Sequence, residues 1–128
     1  GSHRRVVAVA PTLALAGGLA DRLGLQHADA KSSRTWRNGS LVTCFAGLVA
    51  KTAGLDDSAL AGTCLLVDEV ESCLLQLYGM LSGDRAREAY NVLLHLVAGA
   101  GRVFLGDAHA GPVTRKMISD VDVERQEV

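Results

Sequence analysis

The segment Thr63-Cys64-Leu65-Leu66-Val67 is an almost uninterrupted apolar run that ends on a block of acids, Asp68-Glu69-Val70-Glu71. Apolar residues that do not alternate with polar ones leave a strand no face to turn to water. Such a strand must be covered on both sides, as in a parallel sheet between layers of helix. The flanking sequence agrees. Arg5–Ala10 is a β-branched run stopped by Pro11. Thr12 can cap a helix whose apolar positions Leu13, Ala16, Leu19, Ala20 and Leu23 recur at helical spacing, and Gly24 closes it. Leu25–Ala28 and Ser40–Thr43 read as short strands on either side of a polar loop, Lys31–Gly39. Cys44–Thr52 reads as helix up to the stop at Gly54, and Asp56–Gly62 as a connector.

Beyond the acids, Val70, Leu74, Leu77 and Leu81 form a helical stripe over Val70–Leu81, broken at Ser82-Gly83-Asp84. Arg85–Ala98 is a second amphipathic helix, Arg102–Leu105 the last clear strand, and Pro112–Ser119 a further helix. Strands that alternate with helices predict an α/β fold: a three-layer parallel sheet with flanking helices. The chain divides into Gly1-Ser2-His3, which reads as a tag remnant, one domain over residues 4–119, and a polar tail over 120–128.

Composition narrows the function classes. Hydrophobic residues make up 48% of the chain but aromatics only 4%, so the core is built from Leu, Val and Ala. A net charge of −1 excludes a protein that coats nucleic acid through bulk positive charge, and any such contact has to be local. Cys44, Cys64 and Cys73 show no CxxC spacing and sit in apolar segments, which reads as buried thiols in a reducing compartment rather than a zinc site. No apolar run reaches the roughly 18 residues of a membrane span, so no membrane partner is expected. The expected location is the cytoplasm, or association with a nucleoid or virus.

Ligands of open parallel sheets bind beyond the C-terminal ends of the strands. Two such ends here carry polar groups. At the first, one carboxylate (Asp68) can hold Mg²⁺ and its neighbour (Glu69) can polarise an attacking water, with Glu71 half a turn on. The same acids would also serve simply as favourable charges at a helix N-terminus. At the second, Asp107 and His109 lie between Gly106 and Gly111. Asp107 could sense a phosphate through water or merely cap the next segment, and His109 could reach the same crevice or be an exposed loop histidine.

The order of these elements resembles the superfamily 2 DEAD/H-like helicases. Val67-Asp68-Glu69-Val70-Glu71 and a following helix resemble motif II, and Val103-Phe104-Leu105-Gly106-Asp107-Ala108, some thirty residues later, resembles motif III. The nearest likeness is to origin-of-replication-binding helicases and to plasmid or phage primase-helicases. In these the second strand ends on an Asp-Ala pair. Val6–Ala16, a strand, a Pro and a helix start, is similar to motif Ia, and Val42-Thr43-Cys44 falls where a later nucleic-acid motif would lie.

The resemblance covers roughly residues 5–118. It implies a partial P-loop NTPase (RecA-like) domain of an ATP-dependent DNA helicase or replication protein. Asp68 would bind Mg²⁺, Glu69 would activate water for ATP hydrolysis, and Asp107 would couple nucleotide state to nucleic acid. Thr12 and Thr43 would touch the phosphates of DNA, single-stranded by expectation. Arg34 and Arg37, with Trp36 between them, could add cationic and stacking contacts.

One departure is large. The phosphate-binding loop G-x-x-x-x-G-K-[ST] does not occur in this sequence: Lys51-Thr52 follows Ala50, with no Gly where the loop needs one. The chain therefore reads as a piece of a longer helicase, inactive alone. Two other readings stay open. One is a non-catalytic NTPase-like interaction module. The other is a metal-dependent phosphoesterase using Asp68, Glu69, Asp107 and His109. The missing phosphate-loop strand would leave Arg102–Leu105 as a bare sheet edge. That edge would be covered by a second copy of the chain or by the alternating tail Val121-Asp122-Val123-Glu124 folding back as a strand.

Overall fold

A computed structural model describes residues 5–29, 31–79, 83–106 and 111–126, with side chains through Val121. Four strands form one sheet: β1 (Arg5–Ala10), β2 (Leu41–Cys44), β3 (Thr63–Asp68) and β4 (Arg102–Gly106). Every pairing is parallel, and the spatial order is β2-β1-β3-β4. The helices are α1 (Leu13–Leu23), α2 (Leu48–Lys51), α3 (Asp57–Ala61), α4 (Val70–Leu75), α5 (Gly83–Gly99) and α6 (Pro112–Gln126). None of the described helices is long and apolar enough to cross a membrane.

The apolar residues divide by strand parity. On one face, Val7 and Val9 of β1 and Leu65 and Val67 of β3 join Phe45, Leu48, Leu60, Leu74, Leu93 and Met117 in the main core. On the other, Ala8 and Ala10 of β1 and Val42 of β2 meet Ala16, Leu19 and Ala20 of α1. The small alanines let α1 lie close to the sheet. The chain steps from β1 to β2 in one direction across the sheet, and from β2 to β3 and β3 to β4 in the other. Right-handed crossovers send opposite steps over opposite faces. Hence α1 packs on one face while α2 to α5 belong to the core on the other.

That division leaves two surfaces wholly or partly bare. Among the described residues no strand pairs with the outer edge of β4. On the α1 side of the sheet, the described residues cover the half formed by β3 and β4 only in part: Leu66 packs at the margin of the α1 cluster, Cys64 is half-buried and Phe104 is 53% exposed. A groove of about 490 Å³ runs along the same edge, lined by Val97, Ala100, Val103, Leu105, Ile118 and Val121.

Several sequence expectations change. Leu25–Ala28 is not a strand; it makes one bridge, His27 with Val42, because Gln26 and Ala28 alone exchange backbone hydrogen bonds with Val42. The connector at Asp56–Gly62 holds α3, capped by the Asp56 side chain on the Ala59 amide at 2.7 Å. The expected helix over Val70–Leu81 ends at Leu75 and tightens into a 3₁₀ turn, Gln76–Gly79. Cys44–Thr52 likewise begins as a 3₁₀ turn before α2. The tail does not return as a strand. Val121-Asp122-Val123-Glu124 continues α6, so the boundary at residue 119 falls inside a helix, and Val121 is 5% exposed against the main core. Its alternating apolar residues could serve either structure. What decided it is the unbroken helix from Pro112, which carries Val121 round to the side of Met117.

Candidate functional site

β3 delivers Asp68 to the C-terminal edge of the sheet, where its side chain is 32% exposed. The next residue, Glu69, is exposed and has φ 50° and ψ 57°. It is the one described non-glycine residue at positive φ. A Glu in this left-handed conformation is strained by roughly 1 kcal/mol or more, and such residues cluster at sites where a side chain must be aimed. The turn is held from both sides: the Glu69 carbonyl accepts from the Cys73 amide at 3.1 Å, and the buried Cys73 thiol donates to the Asp68 carbonyl at 3.6 Å. The strand thus stops, turns sharply at Glu69 and enters α4, with two adjacent carboxylates at the bend.

Asp68 pairs in register with Gly106, the last residue of β4. A Cβ at Gly106 would lie 3.6 Å from Asp68 Oδ1, so the missing side chain leaves space on that flank of the carboxylate. On another flank Arg22 of α1 comes within 3.8 Å, a long and largely exposed ion pair. Glu71 is engaged with α6: its Oε2 accepts from the Thr114 amide at 2.9 Å and from the Thr114 hydroxyl. Gln76 Nε2 donates to the Pro11 carbonyl, which ties the segment after α4 to the end of β1.

The other residues singled out from sequence fall in different surroundings. Thr12 caps α1, its hydroxyl accepting from the Leu15 amide at 3.2 Å, and it stands exposed at the same edge of the sheet as Asp68. Thr43 is fully buried, with its hydroxyl donating to the Cys44 carbonyl at 3.3 Å and lying against Gly47. No phosphate can reach it in this conformation.

Arg34 is spent on its own loop: Nε and a terminal nitrogen donate to the Ser40 carbonyl at 3.3 and 3.2 Å, and the same terminal nitrogen donates to the Asn38 carbonyl at 3.2 Å. Trp36 is no open stacking platform. It is 7% exposed, its indole donates to the Ala53 carbonyl at 2.7 Å, and the guanidinium groups of Arg5 and Arg37 lie 5.1 and 4.8 Å from its ring centre. Of this trio only Arg37 is exposed.

Asp107 and His109 lie outside the described residues. Among those described, no three His, Cys, Asp or Glu side chains converge as a metal-binding group. A cavity of about 590 Å³ lies elsewhere, between the Val49–Leu55 stretch and α5, with Arg87 and His95 in its lining. Asp84 and Glu88 also line it, both exposed on α5 and away from the C-terminal ends of the strands where ligands of parallel sheets bind. Sequence reasoning missed Gln76, Thr114 and the backbone of Glu69. The one legible signal was Gly111-Pro112-Val113-Thr114, a helix start with no capping side chain of its own. Compared with known proteins, the chain matches no protein-family model, no curated protein and no solved structure.

Proposed function

We propose that the C-terminal edge of this sheet is half of a nucleoside-triphosphate hydrolysis site, as the helicase resemblance implies. The observation that carries the reading is the strained Glu69 directly after Asp68 at the end of a buried parallel strand. Asp68, with open space beside Gly106, is suited to hold Mg²⁺, often through water. The ion would neutralise charge on the nucleotide's phosphates. Glu69, exposed and aimed by its left-handed backbone, would orient and polarise the attacking water. Thr12 and the first turn of α1 stand at the same edge, open to a nucleic-acid phosphate.

The phosphates of a nucleotide need more than two carboxylates. They need convergent backbone amides, and no such loop occurs among the described residues. The two incompletely covered surfaces support the reading on this point. A strand added parallel to the free edge of β4 and joined back to β1 by a right-handed crossover would place its helix on the α1 face, over Cys64, Leu66 and Phe104. The turn between that strand and helix would emerge beside Asp68. In this reading the phosphate loop enters there, and the 128-residue chain by itself does not turn over ATP.

The test is ATP hydrolysis and nucleotide binding by the protein at its full natural length. Glu69→Gln is expected to abolish hydrolysis while nucleotide binding persists, because the carboxylate acts on the water and not on the bound nucleotide. Hydrolysis that survives within about tenfold would remove Glu69 from this role. ATP turnover by the chain alone, lost in Glu69→Gln, would instead favour a self-sufficient metal-dependent phosphoesterase.

A further inference from the structure

Gly111 occupies the position that opens α6. Its carbonyl accepts the Arg115 amide at 3.1 Å, which makes it the N-cap, with Pro112 as the first helical residue. Most helices carry Ser, Thr, Asp or Asn at this point, and that side chain takes the amide of the second or third helical residue. Glycine has none to offer. The amide of the third residue, Thr114, is taken instead by Glu71 Oε2 at 2.9 Å, and the Thr114 hydroxyl donates to the same oxygen. Thr114 is 2% exposed, so water does not replace this partner. A Cβ at residue 111 would collide with the Glu71 carboxylate. A side chain at residue 111 would therefore push the borrowed carboxylate aside.

The location gives this cap its meaning. Glu71 lies two residues beyond Glu69, in the first turn of α4. Gly106, at the end of β4, is in register with Asp68. The chain that leaves β4 thus departs beside Asp68 and enters its next helix beside Glu71.

We propose that Glu71 is a positioning residue: it clamps the first turn of α6 onto α4, and so holds Gly111 and the start of α6 beside the Asp68-Glu69 edge, without itself ligating metal. The proposal rests on the reading of Asp68 as the Mg²⁺ carboxylate. A carboxylate at a helix N-terminus is favoured by the helix dipole as well as by its two donors. Both donors of buried Thr114 meet the one oxygen Oε2, so a cation that drew this oxygen away would leave them without that partner.

The experiment uses the full chain, isotope-labelled for NMR, with Mn²⁺ as a paramagnetic stand-in for Mg²⁺. In Glu71→Ala the Thr114 amide should exchange with solvent at least about tenfold faster, and Glu71→Gln, whose amide oxygen can still accept, should restore protection. Titrated Mn²⁺ should broaden the amides of both Gly106 and Gly111 in the parent chain. In Glu71→Ala the Gly106 broadening should persist at the same Mn²⁺ concentration while that of Gly111 fades.

Asp68→Asn should remove both broadenings. Unchanged Thr114 exchange in Glu71→Ala overturns the clamp. A loss of Mn²⁺ affinity in Glu71→Ala that matches the loss in Asp68→Asn overturns it in favour of a ligand role. An absence of Mn²⁺ broadening in the parent chain defeats the metal reading of Asp68, while the exchange of Thr114 still decides the clamp. Should Glu71→Ala fail to fold, Thr114→Val removes the hydroxyl donor alone. It must then leave Mn²⁺ affinity unchanged and weaken the Gly111 broadening.

Discussion

Asp68 and Gly106 stand side by side at the ends of β3 and β4, with 3.6 Å between the Asp68 Oδ1 and the place where a Cβ on residue 106 would be. Under the proposed function, a cation on Asp68 would use the space that a side chain at residue 106 would fill. Gly106→Val is therefore expected to weaken Mn²⁺ or Mg²⁺ binding at least about tenfold while leaving stability within about 1 kcal/mol, since β-branched residues suit strand backbone. Binding measured by calorimetry that stays unchanged would show that metal does not approach Asp68 from this side.

Relief of strain gives a second expectation. Glycine adopts the left-handed conformation of Glu69 without penalty, though it loses more entropy on folding. Glu69→Gly should stabilise the chain by about 0.5–1 kcal/mol in urea unfolding, and under the proposed function it should also abolish ATP hydrolysis at this site. A destabilised variant would show that the Glu69 side chain holds the turn together, and the strain argument for function would lose its basis.

The pairing of Tyr90 with Asp120 makes stability depend on pH at both extremes. Tyr90 of α5 donates its hydroxyl to the Asp120 carboxylate of α6, and Lys116 donates to the same oxygen at 3.0 Å. Partial burial, then the hydrogen bond and charge of Asp120, push the Tyr90 phenol well above its ordinary value. Its contribution is complete below about pH 10 and is lost as pH rises through the raised value.

Asp120 is lowered by its hydrogen bonds to Tyr90 and Lys116. Its contribution is complete above about pH 4 and is lost as pH falls through the lowered value. Tyr90→Phe should flatten the alkaline limb and shrink the acid one. Melting curves whose pH dependence matches the parent's would mean that the contact between α5 and α6 is not made in solution.

The two loop arginines should separate. Arg34→Ala removes three hydrogen bonds to loop carbonyls and is expected to destabilise the chain by about 1–3 kcal/mol. Arg37→Ala leaves that loop bonded and exposes one side of Trp36, with an expected cost of about 0.5–1 kcal/mol from the lost cation–π contact. In a filter-binding assay with single-stranded DNA, Arg37→Ala should reduce the salt slope by about one unit if the side chain meets a phosphate. An identical slope would assign Arg37 to structure alone.

The parallel sheet was legible because β1, β3 and β4 are short apolar runs bounded by Pro, acids and Gly, which leave few alternatives to buried strands. The helix α1 was legible to the residue, since Thr12 and Gly24 mark its ends chemically. Less could be read where one pattern suits two structures. Val121-Asp122-Val123-Glu124 alternates like a strand, and only its continuity with Pro112–Ser119 makes it helix. At the site, the adjacency of Asp68 and Glu69 was in the sequence, but the left-handed backbone between them was not, because glutamate gives no sign of positive φ. Nor could the commitment of Glu71 be seen, since its partner Thr114 lies 43 residues away. Arg34 and Thr43 looked available because their residue types are often found at phosphates, whereas the folded loop and the close approach of Gly47 use them internally.

The wholly parallel connectivity of the sheet also dictates how the chain must acquire it. Val7 meets Leu41, Cys64 meets Arg102, and Arg5 meets Thr63, so no ladder can begin as a local hairpin. Each must wait for a long loop to close, and the entropy of that closure comes before any reward, which slows folding. β1 and β3 hold neighbours on both sides, whereas among the described residues β4 pairs with β3 alone and β2, the other edge, pairs with β1 and bridges to His27. The strand expected to depart most easily is thus β4. Slow opening of β4, seen as hydrogen exchange at Val103 and Leu105 faster than at Leu65 and Val67, would periodically unmake the Asp68 flank long before the rest of the molecule unfolds.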